Sequence, residues 1–134
     1  MASVSKMKGM TPDLFGKMKA NGLANSDKFL AAVKTTKDRA ELGKAMGVAH
    51  TAVLELANRA DLARIKGIGE VFSNLLENAG VDTVKELATR VPENLHAKLA
   101  QINMDKKMAG RTPTLAQVTN WVEQAKALPR MLEY

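Results

Sequence analysis

In Leu62-Ala63-Arg64-Ile65-Lys66-Gly67-Ile68-Gly69-Glu70-Val71-Phe72-Ser73-Asn74-Leu75-Leu76-Glu77-Asn78-Ala79-Gly80-Val81, glycine punctuates an otherwise helical pattern. The segment reads as a short helix, a glycine turn and a second helix that ends at another glycine. Gly67 and Gly69 flank a single apolar residue, so the chain can turn sharply while Ile68 points into a core. Glycine suits such a turn because it adopts positive φ without steric cost, and the spacing predicts that Gly69 as well as Gly67 supplies this freedom. Phe72, Leu75, Leu76 and Ala79 then fall at i, i+3, i+4 and i+7, one face of a helix. Gly80 stands where a left-handed glycine closes that helix.

The Ile65-Lys66-Gly67-Ile68-Gly69 run, with its spaced Leu and Ala, resembles the helix-hairpin-helix motif. The resemblance implies a grip on duplex DNA through backbone phosphates, without reading of base sequence. In that motif the amides of the glycine turn and of the next helix's first turn point at a phosphate. The helix dipole favours the anion, and nearby Lys or Arg add charge. Gly67, Ile68 and Gly69 are the matching turn residues here, with Arg59, Arg64 and Lys66 just upstream. Glu70 stands at the first turn of the following helix, where a carboxylate stabilises the helix start and repels a phosphate.

Composition narrows the classes. A chain of 134 residues with 46% hydrophobic content is long enough to bury a real interior and too apolar for a disordered tail. It has no cysteine, which excludes disulfides, thiolate zinc sites and cysteine nucleophiles together. Residues 1–8 lack the apolar core of a signal peptide, and no run approaches membrane-spanning length, so a cytoplasmic protein with no membrane partner is expected. The net charge of +6 is concentrated early: residues 1–57 carry nine Lys/Arg against five Asp/Glu, and residues 58–134 eleven against nine. Such a balance is compatible with nucleic acid and equally with a solvated surface.

Sliding the chain by 67 − 9 = 58 positions lays Gly9 on Gly67, Met10 on Ile68, Leu14 on Phe72, Met18 on Leu76, Gly22 on Gly80 and Leu23 on Val81. Phe29 meets Leu87 and Val33 meets Val91 at the same offset. Core positions agree while polar ones mostly differ, the pattern of an internal duplication. Thr11 replaces the second glycine, and Thr11-Pro12 reads as an N-cap followed by proline at the first helical position. The expected architecture is therefore all-α, with two tandem related halves, each on a helix-hairpin-helix (SAM-like) unit. Residues 1–57 form a degenerate copy, and residues 58–134 the copy with the intact hairpin, in one compact whole.

The remaining helices follow from periodicity and caps. One runs from Ser26 to Val33 with Phe29, Leu30 and Val33 inward, and another from Thr36 to Met46 with Leu42, Ala45 and Met46 inward, closed by Gly47. Residues 50–57 form a helix through Val53, Leu54 and Ala57. Thr83-Val84-Lys85-Glu86 and Thr114-Leu115-Ala116-Gln117 are capping-box sequences. Pro92 starts a helix through Leu95, Leu99 and Ile102 that ends near Lys106-Lys107. The last helix has Leu115, Val118, Val122 and Ala125 inward and Trp121 flanking them, and Leu128-Pro129 stops it, leaving a tail. No segment alternates with period two, so no strands are expected.

Asn58 to Gly69, Ala79 to Ala88, Pro92 to His96, Trp121 to Lys126 and Leu128-Pro129-Arg130 together resemble a bacterial family of small proteins with tandem helix-hairpin-helix halves, a domain of unknown function. The likeness covers roughly residues 9–134. It implies the fold and carries no activity, since fold does not give function.

No catalytic constellation is present: His50 and His96 lie in different halves without carboxylate company, and no nucleophilic triad or P-loop appears. The expected role is a non-catalytic binding module, needing no cofactor or metal, whose partner is duplex DNA. Its contacts would be Arg64, Lys66, Gly67, Ile68 and Gly69, joined by Lys6 and Lys8 beside the first hairpin. The alternative is a protein-interaction module that keeps the scaffold without the phosphate site, favoured by Glu70 and by Asp13 at the corresponding place in the first copy.

Overall fold

The computed structural model describes residues 9–133, and over them the chain is all-α with no strand. The helices are α1 (Pro12–Ala20), α2 (Ser26–Ala32), α3 (Thr36–Met46), α4 (His50–Leu62), α5 (Glu70–Asn78), α6 (Val84–Ala88), α7 (Pro92–Lys106) and α8 (Leu115–Ala127).

Side-chain caps set where most of them begin. Thr11 Oγ1 accepts from the Leu14 N–H at 3.1 Å, with Pro12 at the first helical position of α1. Asn25 and Thr35 cap α2 and α3 in the same way, and Thr83 caps α6. At α8 the capping box is complete: Thr114 Oγ1 accepts from Gln117 N–H, and Gln117 Oε1 accepts from Thr114 N–H. At α6 only half of the expected box forms. Thr83 Oγ1 accepts from the Glu86 N–H, while the Glu86 carboxylate lies 3.8 Å from Arg90, one helical turn on. Helix ends are equally legible: α3 closes on Gly47 at φ 72° and α7 on Lys107 at φ 51°.

Two compact units result, one running up to Asp61 and resuming at Arg130, the other Leu62–Pro129. The first buries Leu14, Met18, Phe29, Leu30, Val53 and Leu56. Residues 130–133, read from the sequence only as a tail, belong to it. Leu132 is buried in that core, and Glu133 N–H donates to Lys34 O at 2.8 Å. Arg39, itself buried, ties the same region together. Its guanidinium donates to the carbonyls of Val33, Lys34 and Glu133 and to Thr36 Oγ1. The second unit packs α8 on α6 and α7, and α5 on α7, around Leu75, Leu76, Leu87, Leu99, Trp121 and Val122.

Some packing differs from the periodicity. Ala45 is exposed, and its place in the core is taken by Gly43, where an added Cβ would lie 2.8 Å from Val48 O. Leu115, at the first helical position of α8, is exposed, whereas Trp121 is 2% exposed and central. Helix α4 continues to Leu62, so residues 63–67 are not a separate helix. They form successive turns, with Ile65 N–H donating to Leu62 O and Ile68 N–H to Ile65 O.

The 58-residue spacing reappears in the backbone. Helices α1 and α5 start and stop 58 positions apart, since 70 − 12 and 78 − 20 agree. Gly9 and Gly67 share positive φ, 91° and 100°, as do Gly22 and Gly80, 75° and 85°. Both helices end in a Schellman arrangement. Leu23 N–H donates to Met18 O and Gly22 N–H to Lys19 O; likewise Val81 N–H donates to Leu76 O and Gly80 N–H to Glu77 O.

Candidate nucleic-acid interface

The turn between α4 and α5 is built from one strained glycine, one buried anchor and one helix cap. Gly67 needs its missing side chain twice over: φ is 100°, and an added Cβ would stand 2.9 Å from Trp121 Nε1. Ile68 is buried at 6% exposure, as expected, and fixes the turn to the core. Gly69 corrects the sequence reading. Its φ of −102° and ψ of −163° are extended backbone open to any residue, and an added Cβ would meet nothing. It serves as the N-cap of α5, accepting the Ser73 N–H at 2.9 Å on its carbonyl.

Having no side chain, Gly69 leaves the first-turn amides of α5 without a side-chain acceptor. The first unit differs at this point, because the Thr11 hydroxyl fills the corresponding position on α1. Helix amides without an internal partner, at the positive end of the dipole, suit an anion. Glu70 stands exposed at the first helical residue beside them. Asp13, its counterpart, is exposed and faces Lys17 at 3.5 Å.

The cations near the turn have unequal freedom. Lys66 is exposed. Arg64 is half-buried and donates through Nη2 to Pro129 O at 2.6 Å, tying the turn to the end of α8. Arg59 is 4% exposed on α4, so burial removes it from the upstream basic set expected to face phosphate. Lys6 and Lys8 lie outside the described residues. His50 is exposed and His96 partly so, and no group of three or more metal-ligating side chains occurs among the described residues. An open cavity of ≈ 270 Å³, lined by Thr89, Arg90, Val91, Asn94, Leu95 and Lys98, shares no residue with the turn. Among the described residues, no helix is long and apolar enough to cross a membrane.

A family model described as "Domain of unknown function (DUF4332)" matches residues 8–128, almost the whole chain. The chain belongs to the DUF4332 family. No curated protein and no solved structure matches it. The DUF4332 match takes in the turn and helices α1 to α8 and ends at Leu128, just before the residues that return to the first unit.

The side chains that shape the turn of this DUF4332 protein come largely from α8, which the sequence reading did not connect to it. Gln124 Oε1 accepts the Lys66 N–H at 2.9 Å, and Gln124 Nε2 donates to Lys66 O at 3.0 Å. Nε2 also reaches Asn120 Oδ1 at 2.7 Å. Trp121 lies against Gly67 and stacks obliquely on Phe72 of α5, ring centres 5.3 Å apart. Gln124 and Lys66 are 58 positions apart, and nothing local in either segment signals the pairing. The alternation of a polar Asn120 and Gln124 with a buried Trp121 was readable only as one side of an amphipathic helix.

Proposed function

We infer that the chain is a non-catalytic binding module made of two tandem helix-hairpin-helix units, and that the second unit contacts the backbone of duplex DNA. The start of α5 carries the reading: its first-turn amides have no side-chain cap, and Lys66 stands exposed on the turn just before them. A phosphate oxygen placed there would accept from main-chain N–H groups and sit near one mobile ammonium. Such contacts position a duplex without reading bases. The paired glycines, matched helix limits and matched Schellman ends of α1 and α5 support the duplication. The Thr11 cap marks the first copy as the one that fills its own anion position.

Titration of a mixed-sequence duplex at two salt concentrations tests this. Lys66→Ala is expected to weaken binding equally for any sequence and to flatten the salt dependence by about one unit of slope. Glu70→Gln is expected to tighten binding by removing a repulsion beside the phosphate. Arg64→Ala is a poorer probe, because it also removes the contact with Pro129 O. If wild type shows no salt-dependent binding at low ionic strength, and Glu70→Gln creates none, the DNA reading fails.

The second reading, a protein-interaction module on the same scaffold, is favoured by one observation. The exposed Glu70 carboxylate already supplies negative charge at the helix start. On that reading the three substitutions leave duplex affinity flat, and Glu70→Gln lowers the melting temperature slightly through the lost dipole interaction.

A further inference from the structure

We propose that Gln124 is the positioning residue of the turn: its side-chain amide pairs with both backbone polar groups of Lys66 and holds the segment that presents the start of α5 to a phosphate. The inference deepens the DNA reading and rests on it. Residues 63–67 contain no helix, and the backbone turns there through hydrogen bonds from Ile65 N–H to Leu62 O and from Ile68 N–H to Ile65 O. Between those two turns Lys66 has its N–H and its carbonyl bound by one side chain, at 2.9 Å and 3.0 Å. A primary amide offers one acceptor and two donors. Gln124 spends the acceptor and one donor on Lys66 and directs a donor to Asn120 Oδ1 at 2.7 Å, which fixes its orientation.

The clamp has two consequences. The Lys66 N–H is occupied and is not a phosphate ligand, so the phosphate-facing amides are those from the start of α5 onward. The exposed Lys66 side chain springs from a backbone held by α8, which restricts where its ammonium can swing. Trp121, on the same helix, closes over Gly67 and makes α8 the support for both sides of the turn. Groups held in their bound geometry bind with less ordering cost.

A positioning residue and a phosphate ligand part company in the salt dependence. Gln124→Ala is expected to lower duplex affinity about three- to tenfold, the worth of a typical hydrogen bond or two, while the slope of log affinity against log salt stays at the wild-type value. Lys66→Ala, by contrast, loses about one unit of slope. Amide hydrogen exchange at Lys66, read by NMR on the free protein, is expected to accelerate in Gln124→Ala. Gln117→Ala, which breaks the α8 capping box and leaves the clamp in place, serves as the control for general loosening of α8. Unchanged Lys66 exchange in Gln124→Ala overturns the clamp and leaves the DNA reading intact. Equal losses of affinity in Gln124→Ala and Gln117→Ala overturn the specific role. Absence of duplex binding by wild type overturns the DNA reading and the functional half of this inference, even where Lys66 exchange responds.

Discussion

Gly67 and Gly69 look alike in sequence and do different jobs. Gly67 holds φ 100° with the Trp121 indole where a methyl would go. Gly67→Ala is expected to cost about 1–3 kcal/mol through backbone strain alone, with displacement of Trp121 pushing toward the upper end. Gly69→Ala meets open space in an extended conformation. A weaker N-cap offsets a less flexible unfolded chain, so its stability should stay within about 0.5 kcal/mol of wild type. Urea melts of the two variants check this, and equal losses would contradict the assignment. The sequence marked both residues as turn glycines correctly. It assigned positive φ to both, and only Gly67 has it, because the conformation depends on where α5 begins and on a tryptophan from another helix.

Helix starts were the most legible elements, since each is written in three or four adjacent residues. Thr11-Pro12, Val91-Pro92 and Thr114 with Gln117 stand as read. Thr83 was read equally well, yet its partner Glu86 is drawn to Arg90, a side chain four residues on that also reaches Gly80 O at 3.1 Å. Competition for one carboxylate is a tertiary matter that a four-residue pattern does not contain. The two caps therefore respond differently. Thr114→Ala is expected to destabilise by about 1 kcal/mol, and Gln117→Ala should show part of that loss, because the Thr114 box is reciprocal. Glu86→Gln should leave the Thr83 cap untouched and lose only an exposed pair worth well under about 1 kcal/mol. Thermal melts of these variants decide it, and a Glu86→Gln loss matching that of Gln117→Ala would mean the α6 box forms after all.

At the scale of the whole chain, what escaped sequence reading was everything joined across long separations. The clamp from Gln124 to Lys66 spans 58 positions and the bond from Arg39 to Glu133 spans 94. Periodicity and cap signals reach a few residues and are blind to both. The core faces of α2 and α5 were recoverable because each helix carries its own stripe. The affiliation of residues 130–133 was not, since Leu132 is a single apolar residue in a segment without periodicity. Contacts of long separation also form late, because loop closure must be met before they reward it. In refolding followed by pulsed amide exchange, α5 to α8 are expected to gain protection before the Glu133 N–H does. Protection of Glu133 in step with α8 would overturn that order.

The return of Leu132 and Glu133 to the first unit bears on how the protein is made. Domains commonly fold from the N-terminus onward as the chain is synthesised. Here the first unit lacks a core residue and a carbonyl partner for Arg39 until Leu132 and Glu133 have been added, after all of α5 to α8. The second unit, continuous from Leu62 to Pro129, depends on no segment added after it. The unit begun first thus receives a core residue only after every residue of the other has been joined to the chain.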